Sequence, residues 1–126
     1  MNKLDFENVM EKFCNLSHLT EEEAKIYIPT VNSAKAYFER LLLRDPSDGE
    51  EQGLCEYACA AKAFFDYTIL CAATAKVYST QSGGIYARMS EDETVMNAEK
   101  LMNNAFAAVP SGLIRDDGFV FESTEG

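Results

Sequence analysis

The amino-acid sequence predicts an all-α fold: a small bundle of four to five helices around one long central helix, with a short β arm and a β-prone C-terminal tail. Three observations support this prediction. Apolar residues recur at helical spacing in successive stretches. Capping boxes at Thr20–Glu23 and Ser90–Glu93 mark two helix starts. The stretch Gly53–Ser79 covers most of the longest run without a proline or a glycine, which is residues 54–82.

The first predicted helix lies within residues 1–16. Its apolar side chains lie at helical spacing, mostly separated by charged residues: Phe6, Val9, Met10, Phe13 and Leu16. Because this helix is a chain terminus, it is expected to be mobile unless a neighbouring element holds it.

A second, short helix begins at Thr20–Glu23 and is expected to end near Ile28, because Pro29 disfavours helical geometry in the residue before it. Proline suits the first turn of a helix, so Pro29 predicts a bend and a third helix that runs to about Arg44. The buried stripe of that helix is predicted to be Val31, Ala34, Phe38, Leu41 and Leu42. The turn residues of Asp45–Gly49 predict a loop.

The long central helix is expected to be capped by Asp48 and Glu51 and to run to about Ser79. One face repeats every seven residues and predicts the seam of the bundle: Tyr57, Phe64, Cys71 and Tyr78. Four large apolar residues are expected to be buried, at ~1.5–3 kcal/mol each: Phe64, Phe65, Ile69 and Leu70. Because polar residues form only a narrow stripe, other helices or another subunit should cover this helix on several sides.

Residues 83–89 are expected to form an irregular arm or short strand, since Ile85–Met89 is β-prone. The last helix is predicted from Ser90 to about Val109. In the tail, Phe119–Phe121 is β-prone, and residues 123–126 are expected to be disordered. The sequence has no internal repeat and no change of composition that would mark a second domain. Residues 1–126 are therefore expected to form a single helical domain.

The amino-acid composition limits the functions that the chain can have. The 126 residues are 47% apolar and 25% charged, as in ordinary globular proteins. The 11 basic and 21 acidic residues give a net charge of −10, which disfavours nucleic-acid binding and favours solubility. No apolar run reaches the ~20 residues of a membrane span. The first residues carry acids too early for a signal peptide, so the expected compartment is the cytoplasm of the producing cell.

No residue cluster specifies a reaction. Cys55 and Cys59 lie one helical turn apart, but the paired spacing of zinc sites is absent and His18 is the only histidine. The cysteines are interpreted as small buried apolar residues. The acidic residues gather at helix starts, where capping explains them. The prediction is therefore no catalytic residue, no cofactor and no metal.

Aromatic residues outside the predicted helices have two interpretations. They either complete a satellite core at the end of the bundle or contact a partner, because aromatic residues and arginine are enriched at interface hot spots. The candidate interface residues are Tyr86, Arg88, Leu113, Phe119 and Phe121.

The order of elements resembles a known family. The segments concerned are EEEAKIYIPTVNSAKAYFERLL, the loop Asp45–Gly49, EYACAAKAFFDYTILCAAT, the glycine-containing arm and the closing FVFES. Together they resemble the small head–tail connector proteins, also called head-completion or adaptor proteins, of long-tailed bacteriophages and prophages. The resemblance covers about Thr20 to Glu122 and leaves out Met1 to Leu16.

The resemblance implies a structural subunit that assembles as a ring beneath the portal and extends the DNA channel towards the tail. The implied partners are copies of the chain itself, a portal protein and a tail-side completion protein. The implied location is the head–tail junction of the virion, after assembly in the bacterial host cytoplasm. The expected contact elements are the arm Gly83–Met89 and the tail Leu113–Phe121.

Two other classes compete with this interpretation. A small acidic helical interaction module of a bacterial cytoplasm, acting as an adaptor or inhibitor, fits the acidity equally well. Self-assembly discriminates it from a ring-forming connector. An enzyme that uses Cys55, Cys59 or His18 would instead show a metal or a thiol of low pKa.

Overall fold

Helices make up the regular structure of the described part of the chain. A computed structural model describes the backbone of residues 4–82 and 85–115, and the side chains of residues 4–73 and 92–115. These ranges contain five α-helices and no strand, in agreement with the predicted all-α class. The helices are α1 (Phe6–Ser17), α2 (Glu21–Ala24), α3 (Ile28–Leu41), α4 (Gly49–Ser82) and α5 (Ile85–Ala107), with a 3-10 turn (Lys25–Tyr27) between α2 and α3.

The first three helices begin and end where local chemistry favours it. The Asp5 side chain caps α1 by accepting a hydrogen bond from the Glu7 N–H, and His18 ends α1 in the left-handed conformation. The predicted capping box is confirmed, because Thr20 and Glu23 exchange their side-chain and backbone hydrogen bonds at the start of α2. Pro29 lies in the first turn of α3, as predicted.

Short side chains line the buried surface of α4. This helix contacts α1, α3 and α5. Six of its residues are completely buried: Cys55, Ala58, Cys59, Ala60, Ala61 and Ala63. Because each of these side chains ends at or just beyond Cβ, the neighbouring helices can approach the α4 backbone closely. The Asp48 carboxylate caps α4 by accepting from the Glu51 N–H at 2.9 Å.

The prediction that Ile69 and Leu70 are buried is wrong. Their exposed fractions are 42% and 49%. At this level α3 presents the short side chains of Thr30 and Ser33, which line a depression together with the two apolar residues. Short side chains cannot cover isoleucine and leucine, so sequence periodicity overestimated how much of α4 is enclosed by the described part of the chain.

The predicted β arm is also corrected. Helix α5 begins at Ile85, so Ile85–Met89 is helical and Ser90 lies inside the helix instead of capping its start. A short β-prone run is a weak signal, since β preference depends on a partner strand. Alanine, arginine and methionine in the same run are good helix formers. Gly83 and Gly84 lie outside the described residues.

After α5 the chain returns to the end of α3. Gly112 has a positive φ of 88°, which places the turn in a conformation that favours glycine. The Leu43 N–H then donates to the Leu113 carbonyl at 2.8 Å, and the Arg115 N–H donates to the Leu41 carbonyl at 2.8 Å. These bonds fasten residues 113–115 antiparallel to the α3 end.

A buried carboxylate attaches α1 to α4. Glu56 is only 2% exposed. Its carboxylate accepts from the Asp5 N–H at 2.9 Å, from the Asn8 side-chain amide at 3.3 Å and from the Gln52 side-chain amide at 2.9 Å. Val9 and Phe13 are completely buried beneath α1. The N-terminal helix α1 is therefore held in place by α4.

Glu56→Ala should loosen α1. It leaves three donors without their acceptor and should lower the free energy of unfolding by about 1–3 kcal/mol. Urea unfolding measures the loss, and hydrogen exchange should show faster exchange in α1 than in α3. Glu56→Gln retains one acceptor oxygen and should lose less. Unchanged stability and exchange in Glu56→Ala would contradict the role given to this carboxylate.

Candidate functional site

Among the five predicted interface residues, Leu113 is the one whose side chain the structure describes. Leu113 is completely buried in the core of its own chain, so its side chain offers no surface to a partner, and its assignment as an interface residue is corrected. Its burial follows from the antiparallel bonds to α3 described above. Tyr86 and Arg88 belong to α5, but their side chains lie outside the described residues. Phe119 and Phe121 also lie outside them.

A groove of about 680 Å³ runs between α1 and the segment from α2 to the start of α3. We call it the α1 groove. Half-buried apolar side chains line it: Phe6, Met10, Cys14, Leu19 and Ile28. Three exposed acidic side chains also line it: Glu7, Glu11 and Glu21. Asn8, Asn15 and Lys25 complete the lining, so half-buried apolar side chains are combined with polar ones, and the exposed carboxylates form what we call the edges of the groove.

Aromatic residues behind the α1 groove fix its walls relative to each other. Phe13 of α1 contacts Tyr67 of α4 edge to face, with ring centroids 5.7 Å apart. Tyr27, in the turn before α3, contacts the same Tyr67 ring at 4.8 Å. Burial, with a hydrogen bond to Cys71, raises the pKa of Tyr67 to about 12, so its hydroxyl stays neutral. Aromatic pairs of this kind add about 0.5–1.5 kcal/mol beyond area burial.

The charge of the α1 groove is negative. Its one lining lysine, Lys25, pairs with Glu22 at 3.2 Å, and both side chains are exposed. Glu7, Glu11 and Glu21 form no ion pair among the described side chains. Burial and the charge of Glu21 both raise the pKa of Cys14. This thiol therefore remains protonated at neutral pH.

A second, shallower depression of about 310 Å³ lies between α3 and α4. We call it the α3–α4 depression. Its lining residues are Thr30, Ser33, Asp66, Ile69 and Leu70. The charge of Asp66 is paired with Lys62 at 2.9 Å within α4. This surface is thus apolar and nearly neutral on a chain of net charge −10.

The buried thiols do not have the properties of nucleophiles. Burial raises the pKa of Cys55 to about 11 and raises that of Cys59 well above its ordinary value. A nucleophilic cysteine needs the opposite shift. In the described part of the chain, no three His, Cys, Asp or Glu residues are grouped to hold a metal ion. No described helix is long and apolar enough to cross a membrane.

No family model matches the chain, and no curated protein or solved structure matches it. The α1 groove was missed in the sequence, because it depends on where the residues from Leu19 to Ile28 lie relative to α1 in the folded chain. The sequence did contain a signal for such a surface on the first helix. Phe6 and Met10 lie one helical turn apart, and so do Glu7 and Glu11.

A polar cluster closes the loop between α3 and α4. The Arg44 guanidinium donates to both Glu51 oxygens, at 3.0 and 3.3 Å. The Ser47 N–H and hydroxyl donate to the same carboxylate at 2.8 and 2.9 Å. The Arg44 bonds and then the Ser47 bonds lower the pKa of Glu51 from 4.5 to about 2. Glu51 thus binds the loop, while Asp48 alone caps α4.

The Glu51 cluster predicts a defined pH dependence. A lowered folded-state pKa stabilises the protein above the unfolded value of 4.5, and this contribution is lost as the pH falls towards about 2. The difference in Tm between wild type and Glu51→Gln should therefore be constant from neutral pH to about 4.5 and should then shrink to zero. Glu50→Gln removes the same charge outside the cluster and serves as the control. A Tm difference that persists at the acid end would show that the cluster is not the cause.

Proposed function

We propose that this chain is a structural subunit of the head–tail junction of a long-tailed bacteriophage or prophage. Copies of the chain assemble into a ring that joins the portal to the tail and lines the DNA passage. The partners are other copies, a portal protein and a tail-side completion protein. The chain performs no catalysis in this role, and it reaches the virion after assembly in the host cytoplasm.

The single observation that carries this proposal is the resemblance in element order from about Thr20 to Glu122. The helical architecture agrees with it, because the region of resemblance contains α2 to α5. We further propose that α4 is the central support of the subunit, since it contacts α1, α3 and α5. A rigid support of this kind suits a subunit that must repeat identical contacts around a ring.

The α3–α4 depression supplies a surface for contact between copies. Two subunits of charge −10 repel each other, so a stable contact needs a patch without net charge. Ile69 and Leu70 provide exposed apolar area there, and Lys62 neutralises Asp66. A heterologous contact from this patch to a different surface of the next copy closes into a ring when the rotation permits. Tyr86, Arg88, Phe119 and Phe121 remain proposed as further contacts.

The net charge also suits a channel wall. Proteins hold DNA largely through lysine and arginine, which displace the counterions of the phosphates. A surplus of acidic residues, repeated around a ring, gives a passage along which DNA moves without binding tightly. A small acidic interaction module of the host cytoplasm is the second candidate function, and the acidic α1 groove favours it. The two candidates differ in self-assembly.

The double variant Ile69→Gln/Leu70→Gln should weaken assembly while leaving the fold intact. Both residues are exposed, so the free energy of unfolding should change by no more than about 0.5 kcal/mol. Loss of an apolar contact should weaken association of copies roughly tenfold. Sedimentation and negative-stain imaging of concentrated protein, alone and with the portal protein, measure this. Met96→Gln, which changes another exposed apolar residue, is the control.

Two results would argue against the connector role. A wild-type chain that stays monomeric in every mixture, including with portal protein, favours the interaction module. Wild-type rings that bind duplex DNA tightly at physiological salt contradict the proposed passage.

A further inference from the structure

We propose that the α1 groove is a docking site for a basic amphipathic helix of a partner protein. The inference goes beyond the connector role and does not depend on it. The groove is built with α1, which lies outside the part of the chain that resembles connector proteins. Its shape, apolar lining and charge each restrict what can occupy it.

The apolar lining has the spacing of a helix-binding surface. Phe6, Met10 and Cys14 follow one another at intervals of one turn along α1, and Leu19 and Ile28 add apolar side chains from the residues after α1. The line from Phe6 to Cys14 is about 12 Å long, which matches roughly two turns of a bound helix. Amphipathic helices bind such grooves through apolar residues placed one turn apart. The volume of about 680 Å³ is enough for several such side chains.

The negative charge of the α1 groove determines which kind of partner can bind there. The edges carry Glu7, Glu11 and Glu21, and the one lining lysine is already paired with Glu22. Lysine or arginine residues on the polar face of a bound helix would lie beside these carboxylates and would strengthen association. A second copy of this chain, with its net charge of −10, is repelled, and so is a nucleic acid. The occupant that fits is therefore a basic segment of a different protein.

The groove is formed before a partner arrives. The Glu56 carboxylate holds the start of α1, and the Phe13, Tyr27 and Tyr67 rings hold both walls. A preformed site avoids the cost of ordering its own elements when it binds. The partner helix alone needs to become ordered.

A labelled model peptide tests the proposal with the full-length chain. The probe is an amphipathic peptide of about 14 residues, or four helical turns, with leucine on one face and lysine on the other. A peptide with glutamate in place of each lysine is its matched control. Fluorescence anisotropy should show binding of the lysine peptide and none of the glutamate peptide, with an affinity that falls as salt is added.

Two triple variants distinguish binding at the α1 groove from a general effect of the protein's negative charge. Glu7→Gln/Glu11→Gln/Glu21→Gln neutralises the groove edges. Glu50→Gln/Glu93→Gln/Glu99→Gln removes the same number of charges from positions that line neither depression. The groove variant should bind the lysine peptide roughly tenfold more weakly, and the control variant should stay within about twofold of wild type.

Cys14 reports the location directly. Its half-buried thiol lines the groove, whereas the half-buried Cys71 thiol lines neither depression. Saturating lysine peptide should slow maleimide labelling of Cys14, read by mass spectrometry, and leave Cys71 unchanged. This readout needs no substitution, so it does not depend on the folding of any variant.

Four outcomes overturn the inference. They are no binding of the lysine peptide, equal weakening in both triple variants, unprotected Cys14 with bound peptide, and self-association of wild type that the groove variant abolishes. The last would make a second copy the occupant. Ring assembly is measured without peptide, so the connector role can fail while the groove inference stands, and the reverse also holds.

Discussion

The close approach of three helices to α4 is the constraint on which the rest of the structure depends. It requires side chains that end near the backbone, and the buried surface of α4 supplies them with alanine and cysteine. A larger residue there would push against several helices at once, since packed interiors leave no spare volume. The burial that raises the pKa of Cys55 and Cys59 follows from the same packing. The small residues on this one surface of α4 thus determine how closely the helices pack, and the same packing keeps the two buried thiols unreactive.

Local signals predicted the starts of α2 and α3 but not the start of α5, where Ser90 lies inside the helix, and tertiary features escaped them. The Thr20–Glu23 capping box and Pro29 act within a few residues, so they are legible in the sequence. Ile69 and Leu70 were misassigned because their exposure depends on what α3 presents opposite them. Leu113 was misassigned for the same kind of reason, since its burial requires the antiparallel contact with the end of α3. The α1 groove is likewise a property of helices packed side by side.

Charge is distributed unevenly over the described surface. On α3 and α4, lysine and acidic residues pair one turn apart, as in Lys35 with Glu39 at 2.8 Å and Lys62 with Asp66 at 2.9 Å. Such exposed or partly exposed pairs contribute little stability, typically 0.3–0.5 kcal/mol on a helix. Their effect is to leave those faces nearly neutral. Glu7, Glu11 and Glu21 form no ion pair among the described side chains, so the α1 groove has a negative character that those faces lack.

The attachment of α1 through Glu56 has a consequence for synthesis on the ribosome. The Asp5 N–H and the carboxylate that accepts from it are separated by 51 positions in the chain. Because α1 precedes α4 in the chain, it leaves the ribosome before α4, and its apolar face cannot be covered until α4 follows. Contacts this distant in sequence form slowly. During that interval the nascent helix is exposed to aggregation. Like charges on Glu7 and Glu11 repel other copies of the emerging helix, which opposes such aggregation.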